Sequence, residues 1–205
     1  PKPHEPTKHQ YDFDSASCLA LIRKAGLENE IKLNIEVNHA TLSGHNFEHE
    51  IAYAISNNVL GSIDINRGDT LLGWDTDQFP NNAHDLLMAF YYIFSNGGLK
   101  QGGLNFDAKI RRQSIDPEDL FYAHIGGMDV AARVLLAVEK MINDKILPKY
   151  VDDRYSNWNN ELGTFIHDKN NDLESIASKV INENLEPKPK SGQQELLENI
   201  LNKYL

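Results

Sequence analysis

The chain has 205 residues, 40% of them hydrophobic and 24% charged, which suits one domain with a real core. Its formal net charge of −10 repels phosphate backbones and argues against a nucleic-acid partner. The single cysteine, Cys18, excludes an internal disulfide framework and fits a reducing compartment. No signal peptide is visible, and apolar runs such as 86–94 are too short to cross a bilayer, which argues against a membrane partner.

The stretch from Pro1 to Pro6 holds three prolines and reads as a loop. Asp14 can cap a helix with Leu19 and Ile22 on its apolar face, ended by Gly26. The run 32–39 alternates as a strand with Glu36 and His39 at its end. A second helix over 44–58 carries Phe47, Ile51, Ala54 and Ile55 at helical spacing. Residues 60–65 form a short buried strand bearing Asp64. A loop with Asp75 and Asp77 follows, then a third helix on Leu86, Leu87, Phe90, Ile93 and Phe94. Residues 103–108 are the next strand, again ending in an acid, Asp107. Asp116 caps a fourth helix that opens with Pro117 and acids in its first turn and can reach Ile142.

Strand, acid, loop and helix thus recur three times, the order of parallel strands joined by crossover helices. In a barrel of such units the active site lies at the carboxyl ends of the strands. The fold class expected is therefore α/β, a TIM (β/α)8 barrel of which the chain supplies about half. After Pro148 the pattern changes to three modest helical stretches, around 162–166, 173–181 and 195–205, with a linker over 186–192. We place the boundary between barrel (1–147) and helical tail (148–205) there. The apolar stripe of Leu196, Leu197, Ile200 and Leu201 suits an oligomerisation arm against a partner subunit, or a plain surface tail.

Glu36, Asp64, Asp75, Asp77, Asp107 and His39 converge on one rim in this reading. Carboxylates packed so closely cannot all ionise without cations. An oxygen-rich set with one imidazole and no thiolate favours Mg²⁺ or Mn²⁺ over zinc, and the excess of acids suggests two ions bridged by Glu36. Singly, each feature also has a plainer reading: a solvated D-x-D loop, a helix cap, a surface Glu–His pair. A rival motif, His45-Asn46-Phe47-Glu48-His49, matches the H-x-x-E-H pattern of inverted zinc peptidases, with Glu48 as base.

The segments 34–42, 61–64, 73–80 and 103–109, with 111–114 and 124–129, resemble the C-terminal half of xylose isomerases of the longer bacterial type. The resemblance implies the last part of the barrel, about strands 6–8, in a cytoplasmic homotetramer. It implies interconversion of D-xylose and D-xylulose, with D-glucose a further aldose substrate, by a hydride shift between C2 and C1 assisted by two Mg²⁺, Mn²⁺ or Co²⁺ ions. Glu36 would bridge the ions, Asp64 and Asp107 would hold the structural one, and His39, Asp75 and Asp77 the catalytic one. Lys2 would hydrogen-bond the substrate O1. The family also has a glutamate just before the Pro-Lys-Pro and a ring-opening histidine in its N-terminal half, so the chain alone is expected to be an inactive fragment. A non-catalytic metal or sugar-binding remnant is the alternative. Ile65 stands where the resemblance leads one to expect a small residue.

Overall fold

A computed structural model describes residues 1–4 and 11–205. Glu5 and Pro6, the end of the expected N-terminal loop, lie outside the described residues. The chain divides into two compact units, one built mainly from Pro1–Ile142 and the other from Asn143–Tyr204.

The first unit is organised on three parallel strands, β1 (Leu33–Glu36), β2 (Leu60–Asp64) and β3 (Leu104–Asn105), in the order β1-β2-β3. The register pairs Glu36 with Asp64 and Asp64 with Asn105, so the acids line up at the carboxyl ends. A register shift between Leu33 and Asn34 places Gly61 as the extra residue opposite them. A Cβ at Gly61 would stand 3.0 Å from the Leu33 carbonyl oxygen, and one at Gly102 would stand 1.9 Å from the Gly61 carbonyl oxygen. Both positions require glycine for close strand approach.

Alternation gives the sheet two unlike faces. Leu33, Ile35 and Ile63 are buried on one side, while Asn34, Glu36, Ser62 and Asp64 share the other. Ile65 continues the buried side and is fully enclosed in the core, so its bulk packs away from the Asp64 carboxylate.

The apolar face is covered by α1 (Ser15–Lys24) and α3 (Phe47–Ser56), and α3 packs in turn on α4 (His84–Ser95). Asp14 caps α1 by accepting from Ser17 N at 2.7 Å, and Gly26 follows its end with φ 71°. Ile51, Ala54, Ile63, Leu86, Phe90 and Ile93 form the centre of this core. The long helix α5 (Pro117–Asp144) opens with Asp119 accepting from Asp116 N at 3.0 Å, half of a capping box. By length and mean hydropathy it could cross a membrane. Its buried residues, including Val130, Val134, Val138 and Met141, recur at helical spacing, the pattern of a helix lying on a core.

One boundary departs from the sequence reading. The first strand stops at Glu36, and a short helix α2 (Val37–Leu42) begins at once, so His39 lies on a helical turn and not on the strand.

The second unit is helical: α6 (Ile146–Arg154), a 3₁₀ turn (Ser156–Asn159), α7 (Glu161–His167), α8 (Leu173–Asn182) and α9 (Gln194–Asn202). Helix α6 runs through Pro148, where the sequence reading placed the start of the tail. Proline is tolerated there because the first-turn N–H groups have no intrahelical acceptor. The stretch between α8 and α9 is tied down: Asn157 Nδ2 donates to Lys188 O at 2.9 Å, Lys190 pairs with Asp153 at 2.7 Å, and the Tyr150 hydroxyl reaches Gly192 O.

Candidate metal centre

Because β1 turns directly into α2, Glu36 and His39 stand three residues apart across a helical turn. The turn sets His39 Nδ1 3.1 Å from Glu36 Oε2. In a continued strand their side chains would leave on opposite faces. The other ring nitrogen, Nε2, lies 3.0 Å from Asp75 Oδ2. Asp75 and Asp77 come from the loop after β2. That loop is not extended throughout: Asp77 has a left-handed backbone (φ 43°), and Thr76 between the two acids is buried. The carboxyls nonetheless lie close enough for each to shift the other's ionisation.

Two groups of ligand atoms result, each within a 4.8 Å span: Glu36, His39 and Asp75 in one, Glu36, Asp64 and Asp107 in the other. Glu36 belongs to both. Asp77 joins through Asp75 and is paired with Lys109 Nζ at 2.6 Å. Lys2 Nζ stands 3.5 Å from Asp75 Oδ2. A cleft of about 160 Å³ opens beside them, lined by Lys2, His4, His39, Trp74 and Asp75 among others.

The electrostatics are those of an acid cluster under strain. Burial, followed by repulsion from Asp75, Asp107 and Asp77, pushes the Glu36 carboxyl up to about 8, against a favourable hydrogen bond from Asn66. Within the Asp75–Asp77 pair, burial opposes ionisation of both. Asp77 is raised further by its neighbour, whereas hydrogen bonds involving Asp77, His39 and Asn38 hold Asp75 below the usual range. One proton between two carboxyls is the metal-free answer to a site with too much negative charge. A divalent cation on each side of Glu36 would replace that proton. The donor set, carboxylate oxygens with one imidazole, fits two hard cations sharing a bridging carboxylate.

Sequence reading overlooked the side chains that aim these acids. Asn66 is buried, donates from Nδ2 to Glu36 Oε1 at 2.6 Å and to Asp107 O at 2.8 Å, and accepts from Asn38 N at 2.9 Å. Asn38 Nδ2 donates to Asp75 Oδ1, and Asp64 receives Asn34 at 2.5 Å and Asn105 at 3.2 Å. Asparagine is disfavoured in strands, so Asn34 and Asn105 inside strands were the available signal. Gly68 completes the support, since a Cβ there would lie 1.6 Å from Asn38 Oδ1.

The rival peptidase motif does not assemble as its pattern requires. His45 precedes the α3 cap, Asn46, so the two histidines do not project from one helix, and the Glu48 charge lies near Tyr92, where with burial it raises that hydroxyl.

Fold and site together define a parallel α/β protein with a carboxylate-rich centre at its strand ends. The comparisons with known proteins carry this further. The chain is 58% identical over all 205 residues to a xylose isomerase of Histophilus somni, covering 47% of that protein. It is 55% identical to one of Chelativorans sp. (47% of that protein) and 57% identical to one of Actinobacillus succinogenes (46%), again over its full length. A family model described as the XylA2 C-terminal domain matches residues 151–205. The chain is thus homologous, along its whole length, to the C-terminal half of the xylose isomerases. It spans about half the length of the curated relatives it matches.

Proposed function

We propose that the chain provides the metal-binding part of an aldose–ketose isomerase acting on D-xylose, and on D-glucose as a further substrate. The observation that carries this reading is the sharing of Glu36 by two ligand groups at the strand ends. Glu36 would be the ligand shared by two divalent cations, Mg²⁺ or alternatively Mn²⁺ or Co²⁺. Asp64 and Asp107 would complete the first site, and His39, Asp75 and Asp77 the second. When bound, the two cations supply Lewis-acid stabilisation of negative charge developing on the sugar oxygens.

The chain's own residues do the positioning. Asn66 occupies Glu36 Oε1 and fixes the carboxylate plane, leaving Oε2 toward His39. Asn38 and His39 hold Asp75 from two sides. Lys2, 3.5 Å from Asp75, keeps an ammonium at the mouth of the cleft, where it can donate to the sugar O1. The half-exposed indole of Trp74 offers a wall for the apolar face of a pyranose or extended sugar.

Three strands do not close a barrel, and among the described residues β1 and β3 each pair on one side. The complete TIM barrel, a homotetramer and a cytoplasmic setting are part of the same proposal. The exposed Leu120, Phe121, Ile125 and Leu136 of α5 support a covering surface from further protein.

The test is xylulose formation in saturating Mg²⁺, by this chain alone and co-expressed with the N-terminal half of one of the relatives. Turnover by the pair, abolished by Glu36→Gln, is expected, with none from the chain alone. A folded pair that binds two cations yet forms no xylulose would reduce the chain to a non-catalytic binding module.

A further inference from the structure

Outside the strand-end centre, a second set of ligand-type side chains gathers where α1 meets α3. His45, His49 and Glu50 present ligand atoms within 4.8 Å of one another. His49 Nδ1 lies 3.2 Å from Glu50 Oε1, and His45 Nε2 lies 4.0 Å from the same oxygen and 3.3 Å from Asp14 Oδ2. The two imidazoles are stacked, their centroids 4.3 Å apart. Glu50 is buried, and its second oxygen accepts from Ser15 N at 2.7 Å. Ser15 Oγ is buried with no hydrogen-bond partner.

We propose that His45, His49, Glu50 and Asp14 form a second, separate site for a borderline-soft divalent cation of the zinc type. Two imidazoles with two carboxylates are a donor set for such ions, whereas Mg²⁺ and Ca²⁺ take oxygen ligands. The spacing agrees: bonds of about 2.0–2.1 Å in a tetrahedron put neighbouring ligand atoms ~3.3 Å apart. Two contacts match that edge, His49 Nδ1 to Glu50 Oε1 at 3.2 Å and His45 Nε2 to Asp14 Oδ2 at 3.3 Å, and the 4.0 Å between His45 Nε2 and Glu50 Oε1 would close by a small turn of the His45 ring. The Ser15 N–H bond to the other Glu50 oxygen fixes the carboxylate plane, as outer hydrogen bonds do at metal sites. The bound ion would pin the capped N-terminus of α1 to the first turn of α3, two helices that cover the sheet's apolar face. This site uses Glu50 where the H-x-x-E-H pattern pointed to Glu48, so it anchors structure and carries out no peptide hydrolysis. It is independent of the isomerase reading.

The experiment is zinc titration calorimetry on the full chain in excess Mg²⁺, with Co²⁺ absorption as a second measurement. The parent should bind one zinc per chain under these conditions. His45→Gln and His49→Gln should each weaken it at least tenfold, while Glu48→Gln and Asp107→Asn leave it unchanged. Co²⁺ should give the parent an intense visible band of four-coordinate type, absent from both histidine variants. Equal zinc affinity in parent and histidine variants, loss of the site in Asp107→Asn, or only the weak band of octahedral Co²⁺ in the parent would overturn the proposal. Since the cobalt spectrum is read on the unsubstituted chain, a variant that fails to fold does not remove the test.

Discussion

The two units solve the same problem in different ways. In the first, fully buried side chains from four helices and two strands, among them Phe90, Ile51, Ile63 and Val134, enclose a core that holds the acid rim in place. In the second, α6, α8 and α9 bury no residue, and the fold rests on caps and loop bonds such as Asp172 to Ser175 N at 2.8 Å and Asn160 to Gly163 N at 2.9 Å. Rigidity is thus concentrated where ligand geometry is needed. A site whose acids must be held against their mutual repulsion requires a dense core beneath it, and a run of surface helices does not.

Substitution can break that contrast most sharply in the core. Phe90→Ala should destabilise the first unit by about 3–5 kcal/mol in urea unfolding, because the ring is fully buried between α4 and its neighbours. A loss under about 1 kcal/mol would mean that the core is looser than described. Next in size is Gly68→Ala, whose new Cβ must displace the Asn38 amide from Asp75. Cation affinity at the rim should fall about 10–100-fold with circular dichroism unchanged.

The acid rim also gives a pH signature. Glu36 is raised in the folded chain from 4.5 to about 8, so the folded state holds a proton that the unfolded state has lost. The metal-free chain should therefore lose stability as pH rises across that window, and the slope should disappear in Glu36→Gln or with saturating Mn²⁺. A slope of opposite sign in thermal unfolding would refute the buried, cation-free carboxyl. Asp14 behaves in the reverse sense: burial opposes its charge, but the Ser17 and His45 bonds prevail and lower it. Its cap is present at neutral pH and fades as pH falls through its depressed value, and Asp14→Ala should cost about 1 kcal/mol at pH 7. Smallest of all, Leu196→Ala in the half-exposed stripe of α9 should change monomer stability by about 0.5 kcal/mol or less. A larger loss would place α9 in a core.

Much of this was legible in the residues. Period-two alternation located β1, a short apolar run located β2, apolar spacing located α1, α3 and α4, the Asp116 cap with Pro117 located α5, and the acids at the strand ends followed from that order. Less was visible where one local signal competed with another. Nothing in Val37-Asn38-His39 announces that the strand stops at Glu36, because Val37 favours strand; the burial of Val37 and Ala40 in a short helix decides it. Helix α6 went unread because Pro148 was taken as the start of the tail, and its place in a first turn depends on where the helix begins. The left-handed backbone of Asp77 left no local signal, since it is stabilised by partners distant in sequence, Lys109 N and Arg111 donating to its carbonyl at 2.8 and 3.0 Å. The asparagines that orient the acids carried no motif of their own, and their role emerges only once three strands lie side by side.

The central claim is that Glu36 belongs to two cation sites at once. Mn²⁺ titration of the full chain, followed by calorimetry and electron paramagnetic resonance, addresses it most directly. The account predicts two ions per chain with a spin-coupled spectrum, one ion lost in Asp107→Asn, and both weakened together in Glu36→Gln. Two uncoupled ions, or a Glu36→Gln chain that loses one site and keeps the other at full affinity, would contradict it.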